Sequence, residues 1–493
     1  MTQPTLPTDC RRAGVLLHPT SLPGGEGVGD LGPDAFRFID FLADGGFSVW
    51  QMLPLVPTHD DLSPYQGLSV HAGNPLLISL SQLQAWGWLQ QPALENEHNF
   101  IQYRLNALKV AYRGFLAHAT EEVRAEFLQF VEKHRAWLED YALFQAIRQA
   151  HGGGSWLDWP TELRDREPQA LQNVSEKLAE AIDYIRFEQF VFFRQWAHLR
   201  EHAQQRGILL FGDMPIFVAH DSAEVWAHRE YFTLNESGHA DVVAGVPPDY
   251  FSDTGQRWGN PHYRWERMQQ DEFQWWKSRI ATQLEMFDWI RIDHFRGFEA
   301  YWEIPATEET AMHGRWINAP GDELFHSLHK QFDPLPLVAE DLGIITAEVE
   351  ALRKKYKMPG MKILQFAFGG DAFNPYLPHN HRVDSVVYTG THDNNTTLGW
   401  YKNLPPETRE HLLQYLGNSS EKMPWPLIRS ALASVASVAI IPMQDLLGLD
   451  GEHRMNTPGT TDENWRWRFE WSQVDAGLTS KTNQLMRLYG RAL

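Results

Sequence analysis

Three short segments place carboxylates at the ends of apolar runs. In FDWIRIDHFRGF (287–298), Arg291 and Asp293 stand two residues apart. On an extended strand they share one face, while Ile290 and Ile292 point the other way. PLVAEDLG (336–343) supplies Glu340 and its neighbour Asp341, and SVVYTGTHD (385–393) ends on His392 and Asp393. Carboxylates meeting at one mouth suit glycosyl chemistry. One attacks the anomeric carbon while a protonated partner helps the glycosidic oxygen leave, and a separation of about 5–5.5 Å distinguishes this retaining geometry from the wider inverting one. In that scheme Asp293 is the nucleophile, Glu340 the acid/base, and Asp393 holds substrate hydroxyls in the distorted, oxocarbenium-like transition state. Arg291 would keep Asp293 ionised and oriented. Each segment also has a purely structural reading: an Arg291–Asp293 salt bridge, a helix cap at Glu340 or Asp341, and a turn or cap at Asp393, which Asn394 and Asn395 follow.

Such a site needs strands that end together. Eight apolar runs are candidates: 14–18, 47–53, 207–214, 287–295, 336–343, 361–368, 385–393 and 435–443. Interspersed helical patterns, beginning near 34–44, favour an α/β chain folded as a (β/α)8 TIM barrel over an open doubly wound sheet. In a barrel, residues following different strands converge on one end. No G-x-G-x-x-G or G-x-x-x-x-G-K-[ST] sequence supports a dinucleotide or nucleoside triphosphate site.

The gap between the second and third strands is far longer than one crossover helix requires. It reads as an insertion over about 60–205, with amphipathic helices from roughly 81 onward, packed on the barrel. A second insertion spans about 222–286. Its AGVPPDYFSDTGQRWGNPHYRW segment combines prolines, glycines and aromatics that suit an ordered loop better than a helix. The expectation is one catalytic barrel over residues 1–493, enlarged by these excursions.

Composition narrows the chemistry. With 63 acidic against 43 basic residues, the formal charge of -20 fits a neutral substrate better than nucleic acid. No apolar run resembles a secretion signal or membrane span, so cytoplasm is the simplest location. Cys10 is the sole cysteine, which rules out an intrachain disulfide or a multi-cysteine metal centre. His294 and His392 each adjoin an aspartate, but no H-E-x-x-H or compact histidine cluster is present, and no metal is expected. His392 is better read as a donor to sugar hydroxyls, with a satisfied structural histidine as the alternative.

RIDHFRG, AEDLG and THDN, in this order and context, resemble the 4-alpha-glucanotransferase family, also called amylomaltases or disproportionating enzymes, of the alpha-amylase superfamily. LLHPTSLPGGEGVGDLG, SPYQG, GDMPIFVAHDSAEVW, PPDYFSDTGQRWGNPHYRW and NTPGTTDENWRWR extend the resemblance over nearly the whole chain, in the shorter bacterial form. The resemblance implies a cofactor-independent retaining transfer on alpha-1,4-linked glucans, with maltose, malto-oligosaccharides and longer glucans as partners. It assigns Asp293 as nucleophile, Glu340 as acid/base and Asp393 as the transition-state carboxylate, with Arg291 and His392 in support.

Further contacts follow from the same resemblance. Asp213, in GDMPIF, either contacts sugar or stabilises its loop. The aromatic segment looks like an active-site lid, in which Tyr250, Phe251 and Trp258 cover the glucan and Asp249 makes polar contacts. Tyr65 in SPYQG is a sugar-platform candidate, His294 supports the strand end, and Asn464 and Trp465 either approach the site or tie the last helices together. Asp60 stands where relatives often carry an aromatic, leaving a remote glucan platform doubtful. A monomer is the default. An alpha-glucan hydrolase, or a non-enzymatic glucan-binding protein, is the competing reading.

Overall fold

All eight apolar runs form strands, and they lie parallel in one sheet. The computed structural model describes residues 6–25, 27–90, 99–248 and 252–492. Its strands, in chain order, are β1 (Arg12–Leu16), β2 (Val49–Gln51), β3 (Leu209–Met214), β4 (Val242–Val246), β5 (Gln256–Pro261), β6 (Trp289–Ile292), β7 (Ala300–Pro305), β8 (Arg315–Asn318), β9 (Leu337–Ala339), β10 (Gly360–Ile363), β11 (Ser385–Tyr388) and β12 (Val438–Pro442). The parallel sheet runs β10-β11-β12-β1-β2-β3-β6-β9. The Ala339 amide donates to the Pro359 carbonyl at 2.9 Å, bringing β9 to the other edge and rounding the sheet into a barrel. This is the (β/α)8 fold that the alternating pattern predicts.

The strand pleat divides the core into two layers. Val49, Phe211, Trp289, Val338, Met361, Ile363, Val386, Tyr388, Val438 and Ile440 fill the barrel interior. Ala13, Val15, Leu210, Ile290, Ile292, Ala339, Val387, Ala439 and Ile441, their alternates, pack outward against the helices. Arg291 shares the inward face of β6 with Trp289, and it is the guanidinium rather than another apolar side chain that stands at the top of the barrel. The strands end earlier than the sequence runs suggest. β6 stops at Ile292, β9 at Ala339 and β11 at Tyr388, so all three carboxylates lie in the turns beyond.

Most of the chain between β2 and β3 is helical, ending in the long helix Ala179–Gln205. Gln189 and Gln195 on that helix are fully buried, a cost that vanishes only if both amide ends are paired. Gln189 exchanges hydrogen bonds with the backbone N–H and C=O of Gly73 at 2.8 and 3.0 Å, and Gln195 does the same for Ser79 at 2.7 and 3.0 Å. These two clamps hold the segment that follows SPYQG.

The aromatic segment departs from its expected form. Rather than a loop, its two flanks are strands: β4 and β5 pair antiparallel, and with β7 and β8 they make a second sheet ordered β5-β4-β7-β8. The reason is non-local. VVAGV is too short to announce itself, and it is stabilised as a strand by β7, which begins more than fifty residues later. Asp249, Tyr250 and Phe251 lie outside the described residues. Among those described, no helix is long and apolar enough to cross a membrane.

Candidate active site

Arg291 is the electrostatic centre of the barrel mouth. Its Nη1 donates to both oxygens of Asp213, at 2.8 and 2.7 Å, and its Nη2 lies 2.9 Å from Asp293 Oδ1. Burial alone would lower the pKa of this guanidinium, but Asp213 and Asp293 outweigh it and raise the pKa well above its ordinary value. The salt bridge foreseen between Arg291 and Asp293 is therefore present at the barrel mouth. The Asp293 side chain is 30% exposed and keeps an open face, whereas that of Asp213 is 1% exposed, behind Arg291. Asp213 also accepts from the Tyr65 hydroxyl at 2.8 Å. Its position is that of a strut beneath the site, without a free face for sugar.

Glu340 is held differently. The chain turns left-handed at His294 (φ 51°), and the His294 amide there donates to Glu340 Oε2 at 2.7 Å. The Leu342 amide donates to Oε1 at 3.1 Å. Burial, reinforced by the nearby negative charge of Asp293, outweighs Arg291 and these two amides, pushing the Glu340 carboxyl up to about 8. Its neighbour Asp341 is occupied elsewhere, accepting from the Met361 amide at 2.7 Å and pairing with Arg353 at 3.2 Å.

Asp393 lies across from them on the turn after β11. His392 Nε2 is 3.3 Å from its Oδ2, and Asn456 Nδ2 donates to its Oδ1 at 2.6 Å. Desolvation by the cleft works to raise its pKa, but His392, Asn456 and Arg291 together prevail and hold the carboxyl well below the usual range. The His392 ring stacks on Tyr65, with centroids 5.1 Å apart and planes 15° apart, and Trp465 leans on both. Tyr65 thus bridges two groups, with its hydroxyl on Asp213 and its ring on His392.

The remaining expected contacts separate. Trp258 stands edge-on to His294 at 4.9 Å, next to the Glu340 support. Burial drives the His294 imidazole down to about 4, so it is neutral at physiological pH. Asn464 Oδ1 accepts from the Thr457 amide at 2.9 Å and Nδ2 donates to the Thr460 carbonyl at 2.8 Å, bonds that tie it to the loop before it. Asp60 is exposed. Asn456 escaped the sequence reading because it lies 63 residues from Asp393, in a stretch whose spacing carries no local signal. Among the described residues no group of three or more His, Cys, Asp or Glu side chains is arranged to hold a metal.

Comparison with known proteins bears on what this constellation serves. The family model described as 4-alpha-glucanotransferase matches residues 17–474. The chain is similar to the 4-alpha-glucanotransferase of Thermus thermophilus, 51% identical over 93% of this chain and 94% of the relative. It is likewise similar to that of Synechocystis sp., 48% identical over 98% and 99%. Among solved structures, the amylomaltase from Streptococcus agalactiae in complex with acarbose superposes with a TM-score of 0.94 at 36% identity, over 98% of this chain and all of that one. With a parallel eight-stranded barrel, charged strand ends and relatives matched along almost their whole length, the chain belongs to the 4-alpha-glucanotransferase family.

Proposed function

We propose that this protein transfers segments of alpha-1,4-glucan to an acceptor glucan or glucose by retaining double displacement. The observation that carries the mechanism is the contrast between two neighbouring carboxyls, Asp293 paired with Arg291 at 2.9 Å and Glu340 pushed up to about 8. A nucleophile must be ionised and an acid must be protonated at the same pH; the Arg291 guanidinium beside Asp293 and the burial of Glu340 support that division.

In the first half-reaction an Asp293 oxygen attacks the anomeric carbon while Glu340 donates its proton to the departing glycosidic oxygen. The non-reducing segment is then esterified to Asp293. In the second, Glu340, now a carboxylate, removes the proton of an acceptor hydroxyl, whose oxygen displaces Asp293 and restores the starting configuration. Asp393 accepts hydrogen bonds from sugar hydroxyls as positive charge develops at the ring. General acid assistance of this kind contributes roughly 10²–10⁴-fold, so positioning and electrostatic preorganisation supply the rest of the barrier reduction. Maltose, malto-oligosaccharides and longer alpha-1,4-glucans are the substrates, and Trp258 beside the acid/base is placed to limit water.

Incubation with maltotriose tests this reading. Glucose and longer malto-oligosaccharides should accumulate while total reducing ends stay constant. A steady rise in reducing ends would identify a hydrolase instead, and an absence of products a glucan-binding protein.

A further inference from the structure

We propose that Asn456 is a positioning residue for glucan transfer, fixing the Asp393 carboxylate in the orientation in which it receives substrate hydroxyls. The inference rests on the reading of Asp393 as the transition-state carboxylate. An aspartate side chain rotates broadly about its last torsion, so one hydrogen bond from its own turn does not define its plane. Here each oxygen has its own neighbour. Asn456 Nδ2 donates to Oδ1 at 2.6 Å, and His392 Nε2 stands 3.3 Å from Oδ2. Because an ionised carboxylate only accepts, the NH2 of Asn456 must be the end that faces it. About four acceptor sites exist on a carboxylate, and two therefore remain for substrate. They have room to act, since the Asp393 side chain is 47% exposed.

Asn456 can hold Asp393 only if it is itself held. Its residue is 9% exposed, and its carbonyl accepts from Arg454 Nε at 3.1 Å. The same guanidinium reaches across to the Asp393 carbonyl with Nη2 at 2.8 Å, joining the two backbones. Asn464 takes the Thr457 amide and donates to the Thr460 carbonyl, while the Trp465 amide donates to the Met455 carbonyl at 2.8 Å. The loop from Arg454 to Trp465 is in effect a bracket whose contact with the reaction is the Asn456 amide. On the other side, Asn394 accepts from the Thr391 amide and hydroxyl, both at 2.9 Å, and fixes the turn that carries Asp393.

The experiment compares Asn456→Ala, Asn456→Asp, Asp393→Asn and the Asn456→Ala/Asp393→Asn double variant in maltotriose disproportionation, with thermal unfolding as the check on folding. Losing a charge-assisted bond at a transition-state contact should lower kcat about 10- to 100-fold and leave KM within about threefold. In the Asp393→Asn background the same change should cost less than about twofold, because a residue acting through Asp393 has nothing left to position. Asn456→Asp is isosteric and sets a second carboxylate beside the first. The charged and titratable groups facing Asp393 are His392 from its own turn, Arg454 from the bracket, Arg291 from β6 and Tyr65 from the loop after β2. Against them, the added charge should lower kcat at neutral pH at least as far as Asn456→Ala does, because it repels the carboxylate to which the amide donated. Equal losses from Asn456→Ala in both backgrounds, or unchanged kcat, would overturn the proposal. If Asn456→Ala unfolds, Asn456→Asp decides alone, and an unchanged kcat overturns it. Near-wild-type turnover by Asp393→Asn would instead remove the role of Asp393 itself.

Discussion

At the end of β6, Asp293 has a guanidinium nitrogen 2.9 Å away. At the end of β9, Glu340 is hydrogen-bonded by two backbone amides and is partly buried. One environment stabilises negative charge by a full opposite charge, while in the other two partial positive charges fall short of the burial penalty. The two groups are chemically near-identical carboxylic acids, so the proposed division of labour between nucleophile and acid rests on their surroundings. Arg291 makes the asymmetry by its aim: its nitrogens are directed at Asp213 and Asp293, while its effect on Glu340 is that of a more distant charge.

Measurements on these two groups and their supports would break or sharpen this contrast. The largest effect belongs to Asp293→Asn, which removes the nucleophile; kcat for maltotriose should fall about 10⁴-fold or more with the fold intact by circular dichroism. Turnover within tenfold of wild type would transfer the role elsewhere. Glu340→Gln should cost roughly 10²–10⁴-fold on maltotriose. A glycosyl fluoride, whose leaving group needs little protonation, should restore the first half-reaction in Glu340→Gln but not in Asp293→Asn. Equal rescue of both would erase the distinction between the two sites.

The pH dependence follows from the same contrast. Since Glu340 must be protonated to act as acid, kcat/KM should fall as pH rises through about 8. Its folded pKa is raised above the ordinary 4.5, so the folded state binds the extra proton. The fold is therefore not penalised below about 4.5 and loses stability as pH climbs through about 8. Glu340→Gln, which has no such charge to bury, should melt about 1–3 °C above wild type at pH 8 and show no gain near pH 4.5. A variant melting below wild type at pH 8 would argue that Glu340 is not buried against its charge. The smallest effect is expected for Tyr65→Phe. It keeps the ring against His392 but takes one hydrogen bond from Asp213, and kcat should drop only about 3- to 10-fold.

Legibility in the sequence tracked how local each feature is. The eight barrel strands were readable because each is a short apolar run set between helical patterns, and Ile290, Arg291 and Ile292 face as the pleat requires. β4, β5, β7 and β8 were not readable, since each is short and depends on a partner distant in the chain. For Asn464 the sequence leaves open an approach to the site or a tie between the last helices, and only the folded loop shows its amide bonded to Thr457 and Thr460.

By itself, then, the sequence determined the barrel, the placement of Asp293, Glu340 and Asp393 beyond three strand ends, and the sharing of one face by Arg291 and Asp293. These follow from periodicity within a few residues. Only the tertiary structure decided that Arg291 grips Asp213 as well as Asp293, and that Tyr65 spans Asp213 and His392. It alone joined Asn456 to Asp393, and it occupied Asp341 with Arg353 and the Met361 amide while setting Glu340 against two other backbone amides. Those outcomes depend on barrel closure, which brings residues from distant strand ends to hydrogen-bonding distance and removes the water that would otherwise make every carboxylate alike.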